Sequence, residues 1–292
     1  MSMLSRLFRT GGPRRGNFKA LGAGGFHRVA YVEWGRRANP RVLVCVHGLT
    51  RNARDFDRLA AALAGEWRVV CPDVVGRGDS DWLGDSSGYG YPQYCADMAA
   101  LVAHLGVAEV DWLGTSMGGL IGMMLAARPG TPIRRLVLND VGPFVPRAAL
   151  ERLRDYVGDD PRFGSMAEVE GYFRRVLAPF GPLSDEDWRH VARHGASLAD
   201  GAYRLRYDPA IGVPLKVPVI RDVDLWALWD QVACPTLVLR GERSDLLLPE
   251  TAREMKARGP RAELVEVPGA GHAPALMAGE QIAAVRDWLR GR

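Results

Sequence analysis

Short runs of β-branched and aliphatic residues recur along this chain, separated by longer stretches with helical spacing, and this alternation constrains the fold more than any other feature. The runs fall at 28–34, 41–46, 67–71, 110–113, 135–138, 236–239 and 262–267. Val42-Leu43-Val44-Cys45-Val46 is apolar without interruption. That is the pattern of a strand covered on both faces, since a strand with one wet face alternates. Between the runs, 57–64 is rich in Leu and Ala, 93–105 has helical apolar spacing, and 116–127 is apolar nearly all round, with Pro129-Gly130 following as a stop signal. The alternation predicts an α/β fold: a mostly parallel sheet with helices on both faces.

The pattern breaks after Asp140. From about 142 to 231 no strong buried strand is visible, but amphipathic helical patterns cover 146–156, 165–177 and 184–194. Ser184 and Asp187 stand at capping-box spacing, which marks a helix start. Strand–helix alternation resumes at Pro235. With 292 residues the chain has room for one large core and a smaller insertion. The expected organisation is a core made of 1–142 and 232–292, with a helical cap over 143–231.

Composition narrows the function classes. The net charge of +4 could suggest an anionic partner, but the cations are scattered. Arg14-Arg15 and Arg36-Arg37 are too short to track a phosphate backbone, so no nucleic-acid partner is expected. No apolar run approaches the length of a membrane span, and 1–15 lacks the apolar stretch of a signal peptide. The four cysteines, Cys45, Cys71, Cys95 and Cys234, show no C-x-x-C spacing, which argues against a redox pair or a zinc knuckle. The default expectation is a cytoplasmic protein without membrane contact.

Chemistry concentrates at the ends of the predicted strands. Gly114-Thr115-Ser116-Met117-Gly118 is a G-x-S-x-G pentapeptide between a strand and a helix. In that setting a sharp turn lifts the Ser hydroxyl above the sheet, glycines admit the crowded backbone, and the helix N-terminus offers free N–H groups. A serine nucleophile needs a base within hydrogen-bond reach, and the base needs an acid to orient it. His272 follows the last strand. Asp245, in Gly241-Glu242-Arg243-Ser244-Asp245, follows the strand before it, so all three lie at one sheet edge. Asp140, after the strand at 135–138, would reach the same edge. Its alternative is a structural role, bonding the turn at Gly142-Pro143.

These motifs resemble the α/β-hydrolase family over nearly the whole chain. The order Ser116, Asp245, His272 is the family's triad order. The 241–245 segment resembles its acid loop, which favours Asp245 over Asp140. His47-Gly48-Leu49 resembles the oxyanion-loop motif, and the resemblance implies that the N–H groups of Leu49 and Met117 hold the oxyanion, with His47 bracing the loop. Asp73-Val74-Val75-Gly76-Arg77-Gly78-Asp79-Ser80 resembles the family's D-x-x-G-x-G-x-S loop. Gly-Thr-Ser-Met-Gly-Gly and Asn139-Asp140-Val141-Gly142-Pro143 look most like bacterial carboxylesterases, some of which act on aliphatic polyesters such as polylactide. The resemblance therefore implies a serine esterase acting through an acyl-enzyme on a small or oligomeric ester, with no metal and no cofactor. Phe144 and Trp226 are candidate pocket walls, with Trp188 and Trp229 as further cap aromatics.

Three other readings stand beside this one. A hydrolase of carbon–carbon bonds in ring-cleavage products uses the same triad and cap. A non-catalytic ligand receptor shares the fold but has no need of a complete triad. Finally, 76–80 spells an integrin-binding peptide, Gly-Arg-Gly-Asp-Ser, although a glycine-rich turn after a strand explains it without adhesion. His190 and His194 stand at i,i+4 on a predicted cap helix, a metal-binding spacing that lacks a third ligand in the sequence.

Overall fold

The structure, a computed structural model, describes residues 12–291. Most of the amino-terminal stretch read above for a leader, residues 1–11, lies outside the described residues. The chain runs β1 (Arg14–Gly22), β2 (Gly25–Trp34), β3 (Val42–Val46), α1 (Asp57–Leu63), β4 (Arg68–Pro72), α2 (Tyr91–Leu105), β5 (Val110–Thr115), α3 (Met117–Ala126) and β6 (Ile133–Asn139). It continues through β7 (Phe144–Val145), α4 (Arg147–Arg154), α5 (Met166–Val176), α6 (Asp185–Gly195), β8 (Ala196–Ala199), β9 (Ala202–Leu205), β10 (Val223–Asp224) and α7 (Trp226–Trp229). It closes with β11 (Thr236–Gly241), α8 (Pro249–Ala257), β12 (Glu263–Val267) and α9 (Gly279–Leu289).

Eight strands form one sheet in the order β1-β2-β4-β3-β5-β6-β11-β12. β1, β2 and β4 pair antiparallel in succession, and every pair from β4 to β12 is parallel. The uninterrupted apolar runs follow from this burial. Val42, Val44 and Val46 enter one core with Met98 and Leu101 of α2 and Ile121 of α3. Leu43 and Cys45 enter a second core with Leu59 and Leu63 of α1 and Val285 and Leu289 of α9. Successive side chains thus feed opposite faces, and both faces carry helices. No helix of the described residues is long and apolar enough to cross a membrane.

Two hairpins depart from the expectation. β1 is absent from the predicted runs because only Phe18 and Ala20 of its side chains are buried. It is held instead by its register with β2 and by ion pairs of Arg14 with Glu33 and of Arg15 with Asp79. β8 and β9 pair across Asp200-Gly201, both at positive φ, which is the turn chemistry of a two-residue hairpin. The signal was in the sequence as an Asp-Gly pair, but the flanking runs are too short and exposed to read as strands. The three helices expected between β6 and β11 are α4, α5 and α6. Ser165 and Ser184 cap α5 and α6, accepting the Glu168 and Asp187 N–H groups.

The sheet order places the loops that matter. β3 connects to β4 on one side, while β5 connects to β6 on the other, so the chain switches direction between β3 and β5. Loops leaving the C-terminal ends of strands at such a switch point frame a crevice. Leu49 follows β3, Ser116 follows β5, Asp140 follows β6 and His272 follows β12, all at that edge.

Candidate active site

Ser116 sits between β5 and α3 at φ 51 and ψ −115, a strained conformation for a residue with a side chain. Its neighbours must be small: a Cβ on Gly118 would lie 2.1 Å from the Val46 carbonyl oxygen. Asn139 braces the turn. Its carbonyl accepts the Ser116 N–H at 3.0 Å. Its amide donates to the Thr115 hydroxyl at 3.0 Å and the Pro274 carbonyl at 2.8 Å. The serine turn and the His272 loop are thereby tied to one side chain.

His272 lies between two partners. Nδ1 is 2.8 Å from Asp140 Oδ2, and Nε2 is 2.9 Å from Ser116 Oγ. A carboxylate only accepts, so the Nδ1 hydrogen donates to Asp140, and Nε2 is left to accept the Ser116 O–H. Asp140 is fully buried. The Gly241 N–H donates to its Oδ1 at 2.7 Å, and the Ser244 hydroxyl to its Oδ2 at 2.6 Å. This carboxylate is held by hydrogen bonds rather than by a cation.

The acid expected at Asp245 must be corrected. Asp245 is half exposed, and its carboxylate takes Nε and Nη2 of Arg152 on α4 at 2.5 and 3.0 Å. The segment 241–245 still serves the site, because its Gly241 and Ser244 donate to Asp140. A resemblance in that loop pointed to the right loop and to the wrong side chain.

Leu49 lines the pocket in front of Ser116, and Met117 is the first residue of α3, where helix geometry leaves its N–H without an intrahelical acceptor. Both are anchored from behind by a residue that sequence reasoning passed over. Arg77, the variable position between two glycines of the D-x-x-G-x-G-x-S loop, is wholly buried. Its Nε donates to the Leu49 carbonyl at 2.9 Å, and its Nη2 lies 3.7 Å from Met117 Sδ. Nη1 donates to the Val75 carbonyl and the Tyr94 hydroxyl at 2.8 and 3.0 Å. Among the described residues no carboxylate pairs with it. Burial of Arg77 also removes the adhesion reading, since the arginine of Gly76–Ser80 is not presented. Gly78 is required here, because at φ +57 its Cβ would strike the Asp73 carboxylate at 2.2 Å.

His47 braces the loop after β3. Nε2 accepts the Val74 N–H at 2.9 Å, so the Nδ1 hydrogen donates to the Gly48 carbonyl at 2.7 Å. Burial, with the Arg77 charge as a lesser cause, lowers its pKa to about 4. Asp73 joins the same loops, accepting from the N–H groups of Ala53 and Asp79 at 2.7 and 2.8 Å. Burial pushes its carboxyl up to about 6.

The pocket walls differ from those expected. Leu153, Tyr156, Val176, Leu177 and Phe180 of the 144–229 segment face Ser116 and His272, together with Phe56 and Arg51. Phe144 instead pairs in the short β7–β10 ladder, and Trp226 stacks under Arg258 with 4.6 Å between guanidinium carbon and ring. Trp188 and Trp229 are core residues. His190 and His194 acquire a third neighbour, Asp57, with ligand atoms all within 4.8 Å. That carboxylate is held by both oxygens on Arg54, and His190 Nε2 donates to the Arg54 carbonyl at 2.9 Å. Two of the three groups a cation would need, Asp57 and His190 Nε2, are thereby engaged.

A family model described as the alpha/beta hydrolase family matches residues 43–285. The chain belongs to the α/β-hydrolase family. A 3-hydroxybutyrate-oligomer hydrolase of Cupriavidus necator is 47% identical over 288 residues, covering 96% of this chain and 98% of that protein. Among solved structures, a hydrolase from Rickettsia typhi, itself described as putative, superposes with a TM-score of 0.90 at 33% identity, covering 96% of this chain and 99% of that one. An alpha/beta hydrolase from Novosphingobium aromaticivorans superposes at 0.84 with 40% identity, covering 95% and 98%. This α/β-hydrolase is an enzyme of the serine hydrolase type that cleaves carboxylic esters. The carbon–carbon hydrolase and receptor readings gain no support from these relatives.

Proposed function

We propose that this hydrolase cleaves short oligoesters of hydroxy acids, such as 3-hydroxybutyrate oligomers, through an acyl-enzyme on Ser116. The observation that carries the proposal is the relay from Ser116 Oγ through His272 to Asp140, with contacts of 2.9 and 2.8 Å. The Cupriavidus relative, 47% identical over almost the whole chain, supports the substrate class.

In this mechanism Ser116 Oγ attacks the ester carbonyl carbon as His272 Nε2 takes the hydroxyl proton. The N–H groups of Leu49 and Met117 hold the oxygen that becomes negative; such donors are each worth about 10²–10³ in rate. Asp140 faces the imidazolium and stabilises its charge. The carbon–oxygen bond to the alcohol then breaks, and the Nε2 proton leaves with the alcohol. Water repeats the sequence on the acyl-serine, giving its proton to Nε2; the acid departs and Ser116 regains its hydrogen. The 143–231 segment acts as a cap, whose apolar side chains at the pocket receive the methyl-branched chain. We place this work in the cytoplasm, a reading supported by four free cysteines.

The test is hydrolysis of 3-hydroxybutyrate dimer and trimer by purified protein, followed by chromatography, with mass spectrometry of the quenched acyl-enzyme. Turnover with acyl mass on the peptide containing Ser116 is expected. Ester turnover with no acyl adduct, and no loss in Ser116→Ala, would reject the mechanism.

A further inference from the structure

Two guanidinium groups line the pocket. Arg51 is paired with Asp55, which also lines it, and Arg152 with Asp245. Arg51 is only 5% exposed, and its Nε and Nη2 bond to Asp55 at 2.9 and 2.6 Å. Its Nη1 is buried with no hydrogen-bond partner among the described residues. A guanidinium N–H withdrawn from water and left unpaired is expensive, and such groups mark sites where something else completes the bonding. The face of this guanidinium is occupied by the Phe173 ring at 4.9 Å, which offers no hydrogen-bond acceptor in the plane of its donors.

Two further donors stand on the same wall. Arg152 spends Nε and Nη2 on Asp245. The Tyr156 phenol, one helical turn further along, is pushed up by burial and drawn down by hydrogen bonding and charge from Arg152, with Arg51 adding to the downward pull. Arg51, Arg152 and Tyr156 line the same cavity as Ser116 and His272, with Leu153, Val176 and Leu177 among its apolar walls. A cavity with apolar walls, two guanidinium groups and a phenol fits an aliphatic chain that ends in an anion.

We infer that Arg51, Arg152 and Tyr156 form a subsite for the free carboxylate end of the oligoester. The inference rests on the oligoester reading above and deepens it. A hydroxy-acid oligomer always retains one free carboxyl end, whereas a simple ester or a capped oligomer does not. A carboxylate can accept from the unspent Arg51 Nη1 and from a phenol, and charge-assisted bonds of this kind are the stronger ones. The enzyme then works from the acid-bearing end of short oligomers rather than within a long neutral polymer.

The experiment compares the 3-hydroxybutyrate trimer as free acid with the same trimer methylated at its carboxyl end, alongside p-nitrophenyl butyrate. Wild-type kcat/KM should favour the free acid by about 10- to 100-fold, carried mainly in KM. In Arg51→Gln, Arg152→Gln and Tyr156→Phe the acid-to-methyl-ester ratio should fall toward one. Because that ratio is taken within each variant, partial loss of folded protein cancels. Titration calorimetry of Ser116→Ala with both trimers reads the subsite without turnover, and the acid should bind at least tenfold more tightly. Equal binding of the two trimers, or a ratio unmoved by all three substitutions, overturns the subsite while leaving ester hydrolysis intact. Failure to cleave any of the three esters overturns the oligoester reading instead, and the calorimetric comparison still decides whether the carboxylate is bound.

Discussion

Replacing Asp140 by Asn separates the two candidate acids. The carboxylate is fully buried and accepts from the Gly241 N–H, the Ser244 hydroxyl and His272 Nδ1. Asparagine has one carbonyl oxygen to share among these donors, and its amide would have to face one of them. It also removes the negative charge that lies 2.8 Å from the ring nitrogen when His272 becomes positive in the transition state. Loss of the orienting carboxylate in other triads lowers kcat by ~10⁴, about 5 kcal/mol of barrier. Asp245→Asn touches only a partly exposed pair with Arg152, with side chains 50% and 35% accessible. Such pairs contribute less than about 1 kcal/mol, so kcat on a neutral ester should stay within about twofold. The assay is kcat for both variants on p-nitrophenyl butyrate, with melting temperatures and circular dichroism to establish that each is folded. If Asp245→Asn loses three orders of magnitude while Asp140→Asn retains a tenth of the wild-type rate, the assignment is refuted.

Ser116→Ala should lower turnover by ~10⁴ or more and abolish fluorophosphonate labelling; retention of a tenth of the rate would exclude it as nucleophile. Arg77→Met frees the Leu49 carbonyl without touching the triad, so kcat should fall about 10- to 100-fold at nearly constant KM, and a change confined to Tm would make Arg77 purely structural. His47 is kept neutral by burial, its pKa of about 4 lying below the unfolded 6.5. Its stabilisation is therefore complete above pH 6.5 and lost as pH falls toward 4, by roughly 2–3 kcal/mol. The Tm advantage of wild type over His47→Gln should accordingly shrink between pH 7 and 4.5, and a constant difference would contradict this. Asp73, shifted upward to about 6, acts with opposite sign, gaining stability over that fall, so the comparison with His47→Gln rather than the wild-type profile alone is the diagnostic. Leu153→Ala and Leu177→Ala should reorder preferences across an acyl-length series, while Trp226→Ala should change stability only; reordering by Trp226→Ala alone would restore the original pocket assignment.

What the sequence made legible follows from where the physical signal is local. Strands buried on both faces, such as β3 and β11, announce themselves as apolar runs, and the elbow at Ser116 is encoded within five residues. The helix start at Ser184 was readable because a cap and its donor lie three residues apart. The strand β1 was not legible, since its stability comes from pairing with β2 rather than from burial of its own side chains. The pocket escaped for a related reason: which aromatic of an inserted segment faces Ser116 depends on how helices pack, and periodicity does not encode that. Arg77 was hidden because a charged residue in a glycine-rich loop reads as exposed, and only the fold shows carbonyls, a phenol and a thioether gathered around its guanidinium.

The displaced acid follows from the same distinction between local and distant information. From sequence, Asp140 and Asp245 both follow parallel strands and reach the same edge, so strand geometry allows either. The choice is made by what surrounds each carboxylate. Asp140, at φ 57, is turned inward between β6 and β11, where the Gly241 N–H and the Ser244 hydroxyl hold it. With His272 satisfied from β6, Asp245 is released from that task and reaches Arg152 on α4. The loop after β11 thus supports the relay with Gly241 and Ser244 and reaches α4 with Asp245. That ion pair fixes Arg152 on the pocket wall beside Tyr156. One consequence separates the two roles in a measurement: Asp245→Asn should disturb discrimination between free-acid and capped oligomers while leaving the rate on a neutral ester nearly intact. Asp140→Asn should lower both rates together, and equal loss of discrimination and of neutral-ester turnover in Asp245→Asn would show that the two roles are not separate.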